Sequence, residues 1–305
     1  MGKKCLLDML RVKLSFILLF LLSEIAFSCP PFLYDELGNV IDVKHKFSRI
    51  VSLAPAITET LFAIGAGSRV VGVTLFDNYP KEVERIFKVG DFSNPNLERV
   101  ISVKPDLVLG ISNLHFRLMK RIKEFGISCY TFKLYDTFEE LYAMIDALGK
   151  ITGNEREANL LIGELKERIK GIEDRGKALK AHPKVFLALW DSPLATIGRR
   201  SYIHEVIRIA GGFSITSDLE AYFPIYSIER LILGDPDIIL VAGGNGGMGL
   251  SRDRLLKALS GKGIRAVERG NVYEIDGDLI FRLSPRIVEG IGILYKVFER
   301  WAGKD

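Results

Sequence analysis

Short apolar runs and longer amphipathic stretches alternate along most of this chain, and their spacing predicts its elements. Near the start, residues 34–35 and 40–41 flank Gly38-Asn39, the signature of a short hairpin. Residues 49–53 then read as a buried strand, 58–64 as a helix ended by Gly65, and 70–74 as a second strand. Helical spacing returns at 97–103 and at 116–125, the latter stopped by Gly126, with strands predicted at 106–109 and 128–132. Alternation of this kind predicts a mostly parallel sheet with helices on both faces.

The middle of the chain breaks this rhythm. Residues 138–151 form one amphipathic helix, interrupted at Thr152-Gly153. A second starts at Asn154, with Glu157 three residues on in the manner of a capping box, and runs to about Lys180 before Pro183 closes it. Ala158, Leu161, Ile162, Leu165, Ile169 and Ile172 fall on one face of it. At 1.5 Å per residue it reaches about 40 Å, enough to run along two lobes.

A second strand–helix series follows: strands at 185–189, 238–241 and 272–275, and helices at 201–210, 228–233, 252–258 and 285–301. The expected class is therefore α/β, two Rossmann-like lobes of mostly parallel sheet joined by one long rigid helix, with a cleft between them. The expected boundaries are a leader at 1–28, a tether and hairpin at 29–44, an N-terminal lobe at 45–137, connecting helices at 138–182 and a C-terminal lobe at 183–305. An internal echo supports the duplication. Leu97-Glu98-Arg99-Val100-Ile101 with Pro105-Asp106-Leu107-Val108-Leu109 matches Ile228-Glu229-Arg230-Leu231-Ile232 with Pro236-Asp237-Ile238-Ile239-Leu240 at a constant offset. Duplicated lobes place Glu98 and Glu229 at equivalent spots, although a glutamate at a helix start is also an ordinary response to the helix dipole.

Charge and composition narrow the class further. The net charge is +4, of which the first 28 residues supply +2, so the remainder gives no argument for nucleic acid or an anionic membrane as a partner. Lys3, Lys4, Arg11 and Lys13 accompany an apolar run at 14–22, and Ala26-Phe27-Ser28 precede Cys29. That is the layout of a secretory signal peptide, and its apolar run is shorter than the ~20 residues that span a bilayer. The protein is thus expected outside the cytoplasm. Cys29 is a candidate lipid attachment site, while bulky Phe27 before the cleavage site favours simple cleavage. Only Cys29 and Cys129 remain after processing, so no disulfide framework is expected, and Cys129 reads as a buried free thiol.

Several motifs taken in order resemble the vitamin B12/iron-siderophore family of periplasmic binding proteins. They are Arg49-Ile50-Val51-Ser52-Leu53-Ala54-Pro55-Ala56-Ile57-Thr58-Glu59, Val71-Gly72-Val73, Tyr79-Pro80, Asn96-Leu97-Glu98-Arg99 and Lys104-Pro105-Asp106 in the first half. Gly198-Arg199-Arg200-Ser201, Ala210-Gly211-Gly212, Ser227-Ile228-Glu229-Arg230 and Leu283-Ser284-Pro285-Arg286-Ile287 continue the match in the second. The resemblance implies a receptor of an ABC importer, working as a monomer with a permease and ATPase complex and holding ligand between the lobes. It also implies that Glu98 and Glu229 dock on permease arginines, a contact that salt would weaken. The vitamin B12 binders are the most similar members, which implies cobalamin or a related corrinoid as ligand, with haem and ferric siderophores as alternatives. Cleft positions carried over are Pro55, Phe76, Tyr79, Phe92, Trp190, Phe223, Phe281 and Arg282. Aromatics give a flat ligand wide contact, and an arginine grips a phosphate or amide oxygen at its rim. Phe92 stands where the B12 binders have tryptophan, and Ile111 and Leu279 replace other aromatics.

Other chemistry is weaker. Gly244-Asn245-Gly246-Gly247-Met248-Gly249 matches G-x-G-x-x-G but sits late in the chain, in a protein expected to be exported, and reads as a cleft-edge loop. His45, His115, His182 and His204 share no metal-ligand spacing, so no metal site and no resident cofactor are expected. His45, His182 and His204 read as solvated. His115, after the strand at 106–109, is placed to face a haem iron or corrin cobalt. Asp276 and Asp278 around Gly277 read as turn residues. An exported α/β enzyme is the alternative of another class, but no G-x-S-x-G elbow or Ser/His/Asp arrangement supports it, and none is expected to emerge.

Overall fold

The computed structural model of the protein describes residues 32–133, 136–243 and 250–303. The expected signal peptide, Cys29 and the glycine-rich run at 244–249 lie outside the described residues. Strands β1 (Phe32–Tyr34) and β2 (Val40–Asp42) form the expected hairpin. Its turn is closed by Asp35, whose carboxylate accepts from the Leu37 and Asn39 amides. The same carboxylate accepts from the amide and hydroxyl of Thr131, which staples the hairpin to the first sheet.

That sheet holds β3 (Ile50–Ser52), β4 (Val70–Val73), β5 (Phe87–Lys88), β6 (Leu107–Ile111) and β7 (Ser128–Phe132), all parallel, in the order β5-β4-β3-β6-β7. Every residue of β3 and β6 is buried, as expected for strands covered on both faces. Helices α1 (Pro55–Ala63), α2 (Leu97–Ser102) and α3 (Ser112–Glu124) supply the cover. α1 begins with Pro55 in its first turn, where the missing N–H costs nothing.

Two helices link the halves, α4 (Phe138–Thr152) and α5 (Glu155–Lys177). The capping box forms one helix earlier than expected: Thr137 and Glu140 cap α4 reciprocally. Asn154 makes no capping bond and instead accepts from Arg69. With 23 residues, α5 is about 35 Å long. Its predicted stripe faces inward, with Ala158, Leu165, Ile169 and Ile172 buried and Leu161 and Ile162 packed alongside. One continuous apolar cluster runs from Ile57 and Leu148 through these residues to Ile209 and Leu294, so the connector belongs to the core of both lobes.

The second sheet contains β8 (Lys184–Asp191), β9 (Leu194–Thr196), β10 (Phe213–Ser214), β11 (Ile238–Gly243) and β12 (Val272–Asp276). Its order is β10-β8-β11-β12, parallel, and β9 folds back antiparallel on β8 as a hairpin that the apolar pattern did not announce. Helices α6 (Ile203–Ile209), α7 (Ile228–Gly234), α8 (Arg252–Leu259), α9 (Arg265–Glu268), α10 (Gly277–Phe281) and α11 (Ile287–Ala302) surround it.

The internal echo is reproduced in atomic detail. Asn96 caps α2 by accepting from Arg99 N, and the matching Ser227 caps α7 by accepting from Arg230 N. Lys104 and Asp235, also matched, both take a left-handed backbone at the exit of their helix, with φ of 47° and 38°. Asp106 accepts from the Arg49 amide at 2.9 Å, and Asp237 from the Lys184 amide at 2.9 Å. Each aspartate thereby pins the start of the first central strand of its lobe. Among the described residues no helix is long and apolar enough to cross a membrane. Cys129 is a buried free thiol, its pKa pushed up to about 12 by that burial.

Candidate functional site

In an open parallel sheet the ligand crevice lies beyond the C-terminal strand ends, where the strand order reverses. In the first lobe that point falls between β3 and β6, and in the second between β8 and β11. Pro55 follows β3 and Trp190 is the penultimate residue of β8, so each stands at the reversal point of its own lobe. The two C-terminal edges face one another. Arg282, beyond β12, donates to the Phe76 carbonyl at 2.9 Å in the loop beyond β4. Tyr222 donates to Asp136, beyond β7, at 2.7 Å. Loops at these two edges therefore touch across the lobes.

Four of the expected cleft aromatics are open to solvent: Phe76 at 45%, Tyr79 at 42%, Trp190 at 40% and Phe223 at 55%. All four lie on loops or strand ends of these two edges. The Trp190 indole donates to Ser192 O at 3.0 Å, which fixes the ring beside the turn into β9. The loop carrying Phe76 and Tyr79 is shaped by Asp77, which accepts from the Thr74 amide and hydroxyl. Leu75 and Ile225 add exposed apolar surface on the same segments. Exposed aromatic area of this kind can take up a large apolar or flat molecule.

Other expected site residues sit differently. Phe92 is half-buried, packed against the first-lobe core and edge-on to His115 with ring centroids 5.9 Å apart. Phe281 is half-buried against the core. Ile111 and Leu279, the non-aromatic replacements, are both buried. His115 corrects its expected role. It is buried, its Nδ1 accepts from Ile111 N at 2.9 Å, and its Nε2 lies 2.7 Å from the Phe92 carbonyl. A nitrogen that accepts an amide N–H has no proton, so Nε2 carries it and donates. With both nitrogens committed inside the lobe, no lone pair is left for iron or cobalt. Burial holds the imidazole pKa below its ordinary value, against the pull of the Phe92 carbonyl. His204, expected to be solvated, has both ring nitrogens buried.

Arg282 is also placed otherwise than expected. Its guanidinium is turned into the interlobe contact, where it pairs with Glu59 at 3.2 Å and Asp278 at 2.8 Å and donates to Asn78 Oδ1 at 2.7 Å. Asp276 and Asp278 are not turn residues as expected: Asp276 ends β12 and caps α10, and Asp278 lies within α10, buried and ion-paired. Glu59, Ser284 and Arg286, present in the sequence motifs but given no role there, complete that contact with Asn78. Glu59, a charged residue amid the apolar positions of α1, was the available signal.

Glu98 and Glu229 are exposed at the matched starts of α2 and α7. Glu229 is held below the usual carboxylate range by its own backbone amide and the Ser227 hydroxyl. Glu98 also lines a groove of about 650 Å³ together with Asn113, Phe116, Arg117 and Arg121 of α3. Among the described residues no cluster of His, Cys, Asp and Glu is arranged to hold a metal ion.

Comparison with known proteins agrees with this layout. The family described as periplasmic binding protein matches residues 50–279. An ABC transporter substrate-binding lipoprotein of Bacillus subtilis, YvrC, is 32% identical over 268 residues, covering 86% of this chain and 83% of that protein. A cobalamin-binding protein of Halobacterium salinarum is 28% identical over 277 residues, covering 87% of this chain and 73% of that protein. Among solved structures, the periplasmic heme-binding protein RhuT of Roseiflexus sp. RS-1 superposes with a TM-score of 0.75 at 23% identity, covering 84% of this chain and 99% of that one, a likeness of fold alone. The chain belongs to the periplasmic binding protein family of ABC importers, and it is a solute-binding protein rather than an enzyme.

Proposed function

We propose that the cleft binds cobalamin or a related corrinoid and that the loaded protein delivers it to a membrane permease driven by an ATPase. The observation that carries this reading is the set of solvent-open aromatics Phe76, Tyr79, Trp190 and Phe223 on the two facing sheet edges. They offer a broad, stiff surface to a macrocycle at little entropic cost. The likeness to cobalamin-binding and vitamin B12-binding proteins supports the corrinoid choice. Export by the N-terminal signal peptide, with or without lipid on Cys29, puts the receptor where such a ligand arrives. Glu98 and Glu229 are assigned the docking role because they are exposed, duplicated and equivalently capped, one on each lobe.

Haem is the second reading, favoured by one observation. Tyr79 is exposed on the cleft loop, and a tyrosine oxygen is a haem-iron ligand, a role His115 cannot fill. The two readings separate on a desalting column. The mature protein is mixed with cyanocobalamin or haemin and the visible absorbance that co-elutes is measured. Retention of cyanocobalamin and not haemin is the expected result. Retention of haemin alone, lost in Tyr79→Phe, would replace the corrinoid with haem.

A further inference from the structure

We infer that Glu59 is the keystone of an interlobe clasp that sets the width of the cleft and the pose of Phe76 and Tyr79, with Arg282 and Arg286 as positioning residues rather than ligand-gripping ones. Glu59 lies on α1 of the first lobe and is only 3% exposed. Three groups of the second lobe converge on it: Ser284 Oγ donates at 2.6 Å, Arg282 Nη1 lies at 3.2 Å and Arg286 Nη1 at 3.7 Å. An isolated carboxylate at that depth is unfavourable, and the paired guanidiniums compensate it only while the lobes hold their present separation. Burial raises the Glu59 pKa, while the Ser284 hydroxyl and then the two arginines oppose the shift.

The clasp reaches directly into the aromatic surface. Arg282 holds the Phe76 carbonyl at 2.9 Å, and the Arg286 guanidinium stacks 3.9 Å over the Tyr79 ring. Between those two aromatics, Asn78 accepts from Arg282 and donates to Asp278 at 2.6 Å. A loop that carries two cleft aromatics in the first lobe is therefore oriented by side chains of the second. Two carboxylates, Glu59 and Asp278, share two guanidiniums, with Glu289 3.8 Å from Arg286 at the edge. Buried ion pairs of this sort add little net stability but specify one arrangement over its neighbours, here one lobe separation. The consequence for binding rests on the reading of the cleft as the ligand site. The geometric claim does not.

The test uses spin labels at Lys120→Cys on α3 and Lys257→Cys on α8, both exposed, in Cys29→Ser protein, where buried Cys129 stays unlabelled. The distance distribution of the ligand-free protein is expected to be narrow, and Glu59→Gln and Arg282→Lys should broaden it and shift it outward. Cyanocobalamin affinity should fall about tenfold, the size of an ordinary coupling between sites, mainly through faster release. Ser284→Ala removes one hydrogen bond without unpairing a charge and should give the same changes in smaller degree, so the test survives if Glu59→Gln fails to fold. An unchanged distribution in these variants would overturn the clasp. A broadened distribution with unchanged cyanocobalamin affinity would overturn its role in binding. Absence of cyanocobalamin binding in every protein would count against the corrinoid reading alone, and the distances would still decide the clasp.

Discussion

The long connector is seated on the second lobe by backbone against backbone, and one glycine makes that possible. A Cβ at Gly176 would stand 2.5 Å from Ile209 O, 2.9 Å from Gly211 N and 3.0 Å from the Ala210 carbonyl carbon. All three are main-chain atoms, so none can swing aside as a side-chain tip does. Gly176→Ala must push the end of α5 away from the end of α6. Overpacking of this kind costs about 1–3 kcal/mol, and a return of about 1 kcal/mol of helix propensity leaves a net loss of up to about 2 kcal/mol, where an open site should gain. The same helix supplies its own controls. At Gly163 and Gly171 a Cβ would meet nothing within 4 Å, so alanine there should stabilise by up to about 1 kcal/mol. Urea denaturation followed by circular dichroism of the three single variants measures the difference. If Gly176→Ala proves as stable as Gly171→Ala, the close seat of α5 on the second lobe is refuted.

Two further outcomes follow from the site residues. Glu98→Ala combined with Glu229→Ala should abolish ligand uptake by cells while leaving ligand affinity unchanged, and normal uptake would remove the docking role. The second concerns pH. Because the folded pKa of His115 lies below its unfolded value, the unfolded chain takes up this proton first as the pH falls. The stability His115 contributes is complete above about pH 6.5 and is lost as the pH falls through the folded value. Melting temperature should therefore drop between about pH 7.5 and about pH 5, and His115→Gln should flatten part of that slope. His204, shifted the same way by burial, accounts for a share that persists in the variant. An identical slope in His115→Gln would contradict the sealed, neutral imidazole.

What the sequence disclosed depended on whether the governing interaction was local. Periodicity carried the central strands and α5, because burial imposes it residue by residue. The Glu98/Glu229 echo carried the duplication, to which the structure adds paired caps and paired left-handed exits. The turn from β8 into β9 at Asp191-Ser192-Pro193 was equally local, but the three residues Leu194–Thr196 beyond it are too short a run to announce a strand. Arg282 shows the opposite case. Its residue type fits a ligand-gripping role, yet its pairing with Glu59 joins positions 223 residues apart, which no local pattern records. His115 likewise looks like a ligand until the fold brings the Phe92 carbonyl and the Ile111 amide to its two nitrogens.

Corrinoid binding between the lobes, on the exposed aromatics, is the proposed function. Its most direct test is calorimetric titration of protein produced from residue 29 onward with cyanocobalamin, beside a Trp190→Ala/Phe223→Ala double variant. Saturable one-to-one binding at sub-micromolar concentration, weakened in the variant, is the expected result. Absence of heat with the unaltered protein, or equal affinity in the variant, would contradict it.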